Sequence, residues 1–136
     1  MLIIGDVAVG PAIFFVGLAF GLMVFVPIWI VETLVLWGLK WGSFGRALLD
    51  ALIANIASTV FGLVFFTLFS NTSIRLTNSP ILWFIALAAL SILIEGGVLL
   101  LLKRHPPRKT WTSAIAANLA SYALLGLLAL VSELRL

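Results

Sequence analysis

Two glutamates, two asparagines and two serines lie inside otherwise apolar stretches of this 136-residue chain: Glu32, Asn55, Ser58, Glu95, Asn118 and Ser121. Acids within apolar segments of membrane-spanning length are costly, and they commonly mark ion pathways, proton relays or ligand counter-ions. Glu32 with Asn55, and Glu95 with Asn118, can therefore form a site for a proton, a metal cation or a cationic substrate. The plainer chemistry is structural. A protonated Glu32 donates to Asn55, Glu95 does the same to Asn118, and the cluster only fixes how helices pack. A third reading exposes the same groups to a partner subunit.

These landmarks recur at a single offset. Glu32 and Glu95, Lys40 and Lys103, Asn55 and Asn118, and Ser58 and Ser121 are each 63 residues apart. Val35 and Val98, Leu36 and Leu99, Ala51 and Ala114, Ala54 and Ala117, and Ala57 and Ala120 agree at the same offset, and Arg46 faces Lys109. Apolar identities come cheaply in a chain that is 63% hydrophobic, so the shared register of the polar residues is what points to duplication. Each copy holds two spans, so the copies run the same way, related by a pseudo-twofold axis along the membrane normal. The match fades elsewhere: Pro27 stands opposite Leu90, Asp50 opposite Ser113 and Gly62 opposite Leu125.

The elements that position these groups are transmembrane helices. With 10% charged residues and a mean hydropathy of +1.27, so short a chain cannot hide its apolar surface in a soluble core. The expectation is an all-α integral membrane protein, one domain over 1–136, with repeat 1 at about 12–69 and repeat 2 at about 80–133. The first span is placed at 12–40, with Pro11 at its start and a kink near Pro27. The others follow at 47–69, 81–102 and 111–131, divided by Lys40–Arg46, Ser70–Pro80 and Lys103–Lys109. Asp50, four residues after Arg46, is expected to pair with it.

Depth follows from helical rise. Glu32 and Asn55 are equally far from the turn at Ser43 and Phe44, roughly 15 Å below it at 1.5 Å per residue, so they can meet side by side. The same holds for Glu95 and Asn118 about Pro106 and Pro107. Ala51, Asn55, Ser58 and Gly62 share a helix face, as do Ala114, Asn118, Ser121 and Tyr122. Small and hydrogen-bonding residues in such a stripe form a helix-packing seam in lipid.

Orientation comes from basic residues. Lys40, Arg46, Lys103, Arg104, Arg108 and Lys109 collect on one side, which should be cytoplasmic, with both termini outside and only Arg75 and Arg135 as outer basic charges. Trp37, Trp41, Trp111 and Trp83 suit interfacial anchoring. The basic patch could bind anionic lipids or an acidic partner, although orienting the chain is reason enough for it, and His105 belongs with it. The formal charge of +3 is no nucleic-acid footprint. Asp6 stands where a secretory signal would be basic, so the first segment is expected to remain as an anchor, in a bacterial inner membrane. Asn71-Thr72-Ser73 matches a glycosylation acceptor, relevant only in a eukaryotic secretory pathway.

Catalysis and cofactors find little support. Cysteine is absent and the lone histidine lies outside the spans, so no haem, iron–sulfur or thiolate chemistry is expected. There is no nucleophile elbow, no P-loop and no histidine-carboxylate metal spacing. The segment Glu32-Thr33-Leu34-Val35-Leu36-Trp37-Gly38-Leu39-Lys40 resembles the first-helix motif of small multidrug resistance exporters, four-span proteins whose membrane glutamate exchanges protons for cationic drugs. The resemblance covers this stretch alone, and it implies Glu32 as a proton and substrate site.

The leading expectation is a non-catalytic membrane subunit or scaffold, packed in the bilayer against other subunits of a bioenergetic or transport complex. The alternative is a small proton- or cation-coupled transporter, acting as a homo-oligomer and using the Glu/Asn cluster.

Overall fold

The structure, a computed structural model, describes the backbone of residues 6–69, 80–102 and 104–133, and the side chains of 21–65, 81, 82, 84–102 and 104–131. Four helices follow in order: α1 (Asp6–Gly38), α2 (Phe44–Phe69), α3 (Pro80–Leu101) and α4 (Pro107–Glu133). All four are long and apolar enough to cross a membrane. Hydrocarbon offers no partner for backbone N–H and C=O groups, so a continuous helix is the form these segments must take.

Local signals explain where the helices begin and end. α1 starts at Asp6 instead of residue 12 and stays helical past both Pro11 and Pro27. It stops at a left-handed residue, Lys40 (φ 57°), with the Trp41 amide bonded to the Leu36 carbonyl and the Lys40 amide to that of Trp37, both at 3.0 Å. This is the Schellman arrangement, usually built on glycine. Ser43 then caps α2, its carbonyl accepting the Arg46 and Ala47 amides at 3.0 Å, so α2 begins before residue 47. Pro107 opens α4, where a missing N–H costs nothing, and the Pro106 carbonyl accepts the Thr110 amide at 3.0 Å. Arg108 and Lys109 are therefore the first turn of α4, not part of the loop before residue 111.

Among the described residues, each helix packs on two others: α1 on α2 and α4, and α3 on α2 and α4. Among the described residues the backbones of the opposite pairs, α1 with α3 and α2 with α4, do not approach closely, so the four helices form a ring around a central axis. Buried positions on α2 (Ala47, Asp50, Ala51, Ala54, Asn55) and α4 (Thr110, Ser113, Ala114, Ala117, Asn118) step by three and four, one inward face per helix. Alanine dominates that face, letting backbones approach closely. Gly96 is the extreme case, because a Cβ there would lie 2.4 Å from the Trp111 ring. The outward faces are apolar, with Met23, Ile81 and Leu101 among the most exposed. Lipid is the environment such a surface requires.

The tryptophans divide. Trp37 is exposed and stacks edge-on against Phe44, as an interfacial residue would. Trp41 does not fit that expectation: it is 1% exposed, because its indole N–H has a partner inside the bundle. Lys103, Arg75, Arg135, the Asn71-Thr72-Ser73 triplet and the Trp83 side chain lie outside the described residues.

Two substitutions test these local constraints by thermal unfolding in detergent. Lys40→Gly should stabilise the protein by about 1 kcal/mol, since glycine adopts the left-handed conformation without a Cβ penalty. Gly96→Ala should cost about 1–3 kcal/mol through overpacking, and Trp111→Leu in the same chain should recover part of that loss.

Candidate functional site

Each helix delivers polar side chains to the same level of the ring. Glu32 is 3% exposed on α1, Asn55 4% on α2, Glu95 4% on α3 and Asn118 1% on α4. The Asn55 amide donates to Glu32 Oε2 and, at 3.0 Å, to the Ala51 carbonyl. The Asn118 amide donates to Glu95 Oε2 at 2.7 Å and to the Ala114 carbonyl at 3.2 Å. The remaining carboxyl oxygens are served from the other hairpin: Ser121 donates to Glu32 Oε1 and Ser58 to Glu95 Oε1, both at 2.8 Å. All six residues singled out from the sequence thus join one network.

The direction of these bonds corrects one expectation. The glutamates do not donate to the asparagines. Each amide nitrogen also reaches the carbonyl four residues earlier in its own helix, which fixes the NH2 side toward the carboxyl group and makes the glutamate the acceptor. Every carboxyl oxygen thus has one neutral donor within hydrogen-bond reach. The two acids also lie close enough to interact directly. Among the described residues, no basic side chain pairs with either.

A cavity of about 190 Å³ adjoins this floor. Its walls are Phe25, Ile28, Thr59, Ser91, Tyr122 and Leu125, all on the side of the glutamates away from the basic turns. Ser91 and the Tyr122 hydroxyl bond to each other at 3.1 Å, and Phe84 meets the Tyr122 ring edge-on. On the opposite side the bundle is filled by Leu36, Trp41, Leu99 and the alanines at 47, 51, 54, 114 and 117. Among the described residues, the site is thus hollow on one side and packed on the other.

A second polar node closes the plugged end. Asp50, 2% exposed, accepts the Trp41 indole N–H at 2.8 Å and lies 3.4 Å from Arg104 Nε. This overturns the expected pairing with Arg46, which is exposed on the outer side of the turn while Asp50 faces inward. His105 Nε2 sits 2.6 Å from the Trp41 carbonyl, its ring edge-on to the indole, and Lys109 donates to the Lys40 carbonyl at 3.0 Å. Arg104, His105 and Lys109 therefore stitch the second turn to the first and are not simply a lipid-facing patch, whereas Arg108 and Lys40 expose their side chains.

Sequence reasoning missed this node and the cavity wall. Asp50 was visible as an acid in an apolar stretch, but its partners, Trp41 and Arg104, lie in two different turns beyond its helical i±4 neighbours. Among the described residues no group of three or more histidine, cysteine or acidic side chains could hold a metal ion. Comparison with protein families, with characterised proteins and with solved structures finds no match to this chain.

The plugged end yields a stability test by unfolding in detergent. Asp50→Ala strands the buried Trp41 N–H and should cost about 2–4 kcal/mol. Arg104→Ala leaves the buried Asp50 carboxyl without its counter-charge and should cost about 1–3 kcal/mol.

Proposed function

We propose that this chain is a small proton- or cation-coupled transporter whose exchange site is the Glu32/Glu95 cage. The observation that carries the reading is a pair of buried acids without a counter-charge. Two buried acids receive only neutral donors, no described basic side chain reaches them, and they floor a cavity. Isolated carboxylates are prohibitively costly in a dry interior, so a proton or a cation has to complete the site. The hollow and plugged halves supply the other requirement of a carrier, a site approachable from one side at a time.

The architecture behind this reading is two tandem hairpins about a pseudo-twofold axis along the membrane normal. Its support is that each bond in the cage has a partner bond 63 residues away: Asn55 to Glu32 with Asn118 to Glu95, and Ser58 to Glu95 with Ser121 to Glu32. The basic turns face the cytoplasm and both termini the outside, in what we take to be a bacterial inner membrane, by the bias of lysine and arginine. The cavity then lies in the outer half of the bundle.

Reconstitution tests the reading. In proteoliposomes carrying a pH gradient, the wild-type protein should dissipate the gradient when a transported cation is added. Glu32→Gln and Glu95→Gln should each lower that flux at least tenfold while remaining monodisperse in detergent. No flux from the wild type, together with stoichiometric co-purification with a larger assembly, would instead establish the accessory-subunit role. Because the chain has no cysteine, a single Ser43→Cys variant reports orientation, and only a cytoplasm-side thiol reagent should label it in intact cells.

A further inference from the structure

The cage runs short of hydrogen-bond donors, and that shortage says what it binds. Four amide hydrogens from Asn55 and Asn118 are fully used, one each on Glu32, Glu95 and the carbonyls of Ala51 and Ala114. Ser58 has one hydrogen for both Glu95 Oε1 at 2.8 Å and the Asn55 carbonyl at 3.2 Å. Ser121 likewise has one for Glu32 Oε1 at 2.8 Å and the Asn118 carbonyl at 3.0 Å. Asn118 Oδ1 is then buried with no partner, although the residue is 1% exposed and lines the cavity. What remains on offer at the floor is acceptor capacity on Glu32, Glu95 and Asn118, from three walls of the ring: α1, α3 and α4.

We infer that the cavity takes a small primary ammonium, with its NH3+ group on Glu32, Glu95 and Asn118 Oδ1 and its apolar stem between Phe25, Ile28 and Leu125. This rests on the coupled-cation reading above and names its substrate class. An RNH3+ group brings three diverging N–H donors for the three acceptors and one positive charge for an acid pair that retains a single proton. A quaternary ammonium brings charge without a donor and leaves Asn118 Oδ1 unpaired. A calcium ion wants six to eight oxygen ligands, more than this floor presents. Size agrees: the cavity is about 190 Å³, and a cavity of about 150 Å³ holds a benzene-sized molecule.

Titration calorimetry on the detergent-purified full chain tests this with methylammonium, butylammonium, tetramethylammonium, guanidinium, sodium and calcium chlorides. Butylammonium should bind about tenfold or more tighter than methylammonium, through burial of its stem. The other four should bind at least tenfold more weakly than butylammonium. Leu125→Trp, checked for folding by circular dichroism, should abolish the preference for butylammonium and keep methylammonium binding. Ile28→Ala provides a second variant and should shift the preference toward hexylammonium.

Tetramethylammonium, guanidinium or a metal ion binding as tightly as butylammonium would overturn the inference and leave coupled cation exchange standing. Gradient dissipation without binding of any ammonium would also overturn the inference, pointing to proton conduction alone. Absence of both binding and flux would remove the transporter reading with it.

Discussion

Hydrocarbon cannot solvate a carboxylate, and the bundle is organised around that constraint. Glu32 and Glu95 each take one hydrogen bond from the asparagine of their own hairpin and one from the serine of the other. The first bond sets the register between the two helices of a hairpin, and the second sets how the hairpins face each other. Rotating any one helix by a residue would carry its polar group out of the ring and leave an acid short of a donor, a loss of several kcal/mol in a dry setting. The polar cage therefore orients a bundle whose outer faces, being uniformly apolar, carry almost no orienting information.

Packing around the cage is uneven among the described residues. Toward the basic turns, alanines on α2 and α4 allow close approach, and Leu36, Leu99 and Trp41 fill the axis. Away from the turns, Phe25, Ile28 and Leu125 surround a space they do not fill. A void forfeits dispersion contacts, so leaving one here costs stability. Here the void adjoins the very groups that lack a counter-charge.

Much of this was legible in the sequence, because polar residues inside apolar spans are rare enough to be informative one at a time. Helix number and type followed from hydropathy. The meeting of Glu32 with Asn55 and Glu95 with Asn118 followed from equal distances to a turn, and the small-residue faces from helical spacing. Helix starts were less legible because they depend on caps: Ser43 and Pro107 begin α2 and α4 earlier than apolar runs suggest. The Asp50 node was misread for a different reason. A sequence rule offers only the i−4 neighbour Arg46, while the real partners, Trp41 and Arg104, arrive through tertiary structure. The cavity was illegible altogether, since it depends on what neighbouring side chains fail to occupy.

The tandem arrangement we propose also accounts for where the two hairpins differ. About a twofold axis, a group near the axis meets its own copy, so a duplicated acid at the inner end would face another acid. The cage accommodates its two neighbouring acids because its bonds cross, each glutamate also meeting the opposite serine. The inner plug cannot, and its ion pair requires unlike residues at matched positions. That is what the chain carries: Asp50 opposite Ser113, Trp41 opposite Arg104 and Gly42 opposite His105. On the proposed arrangement, similarity at the cage and divergence at the plug are two consequences of one geometry. The first keeps a shared acid site, and the second lets unlike hairpins lock together at one end while the other stays hollow.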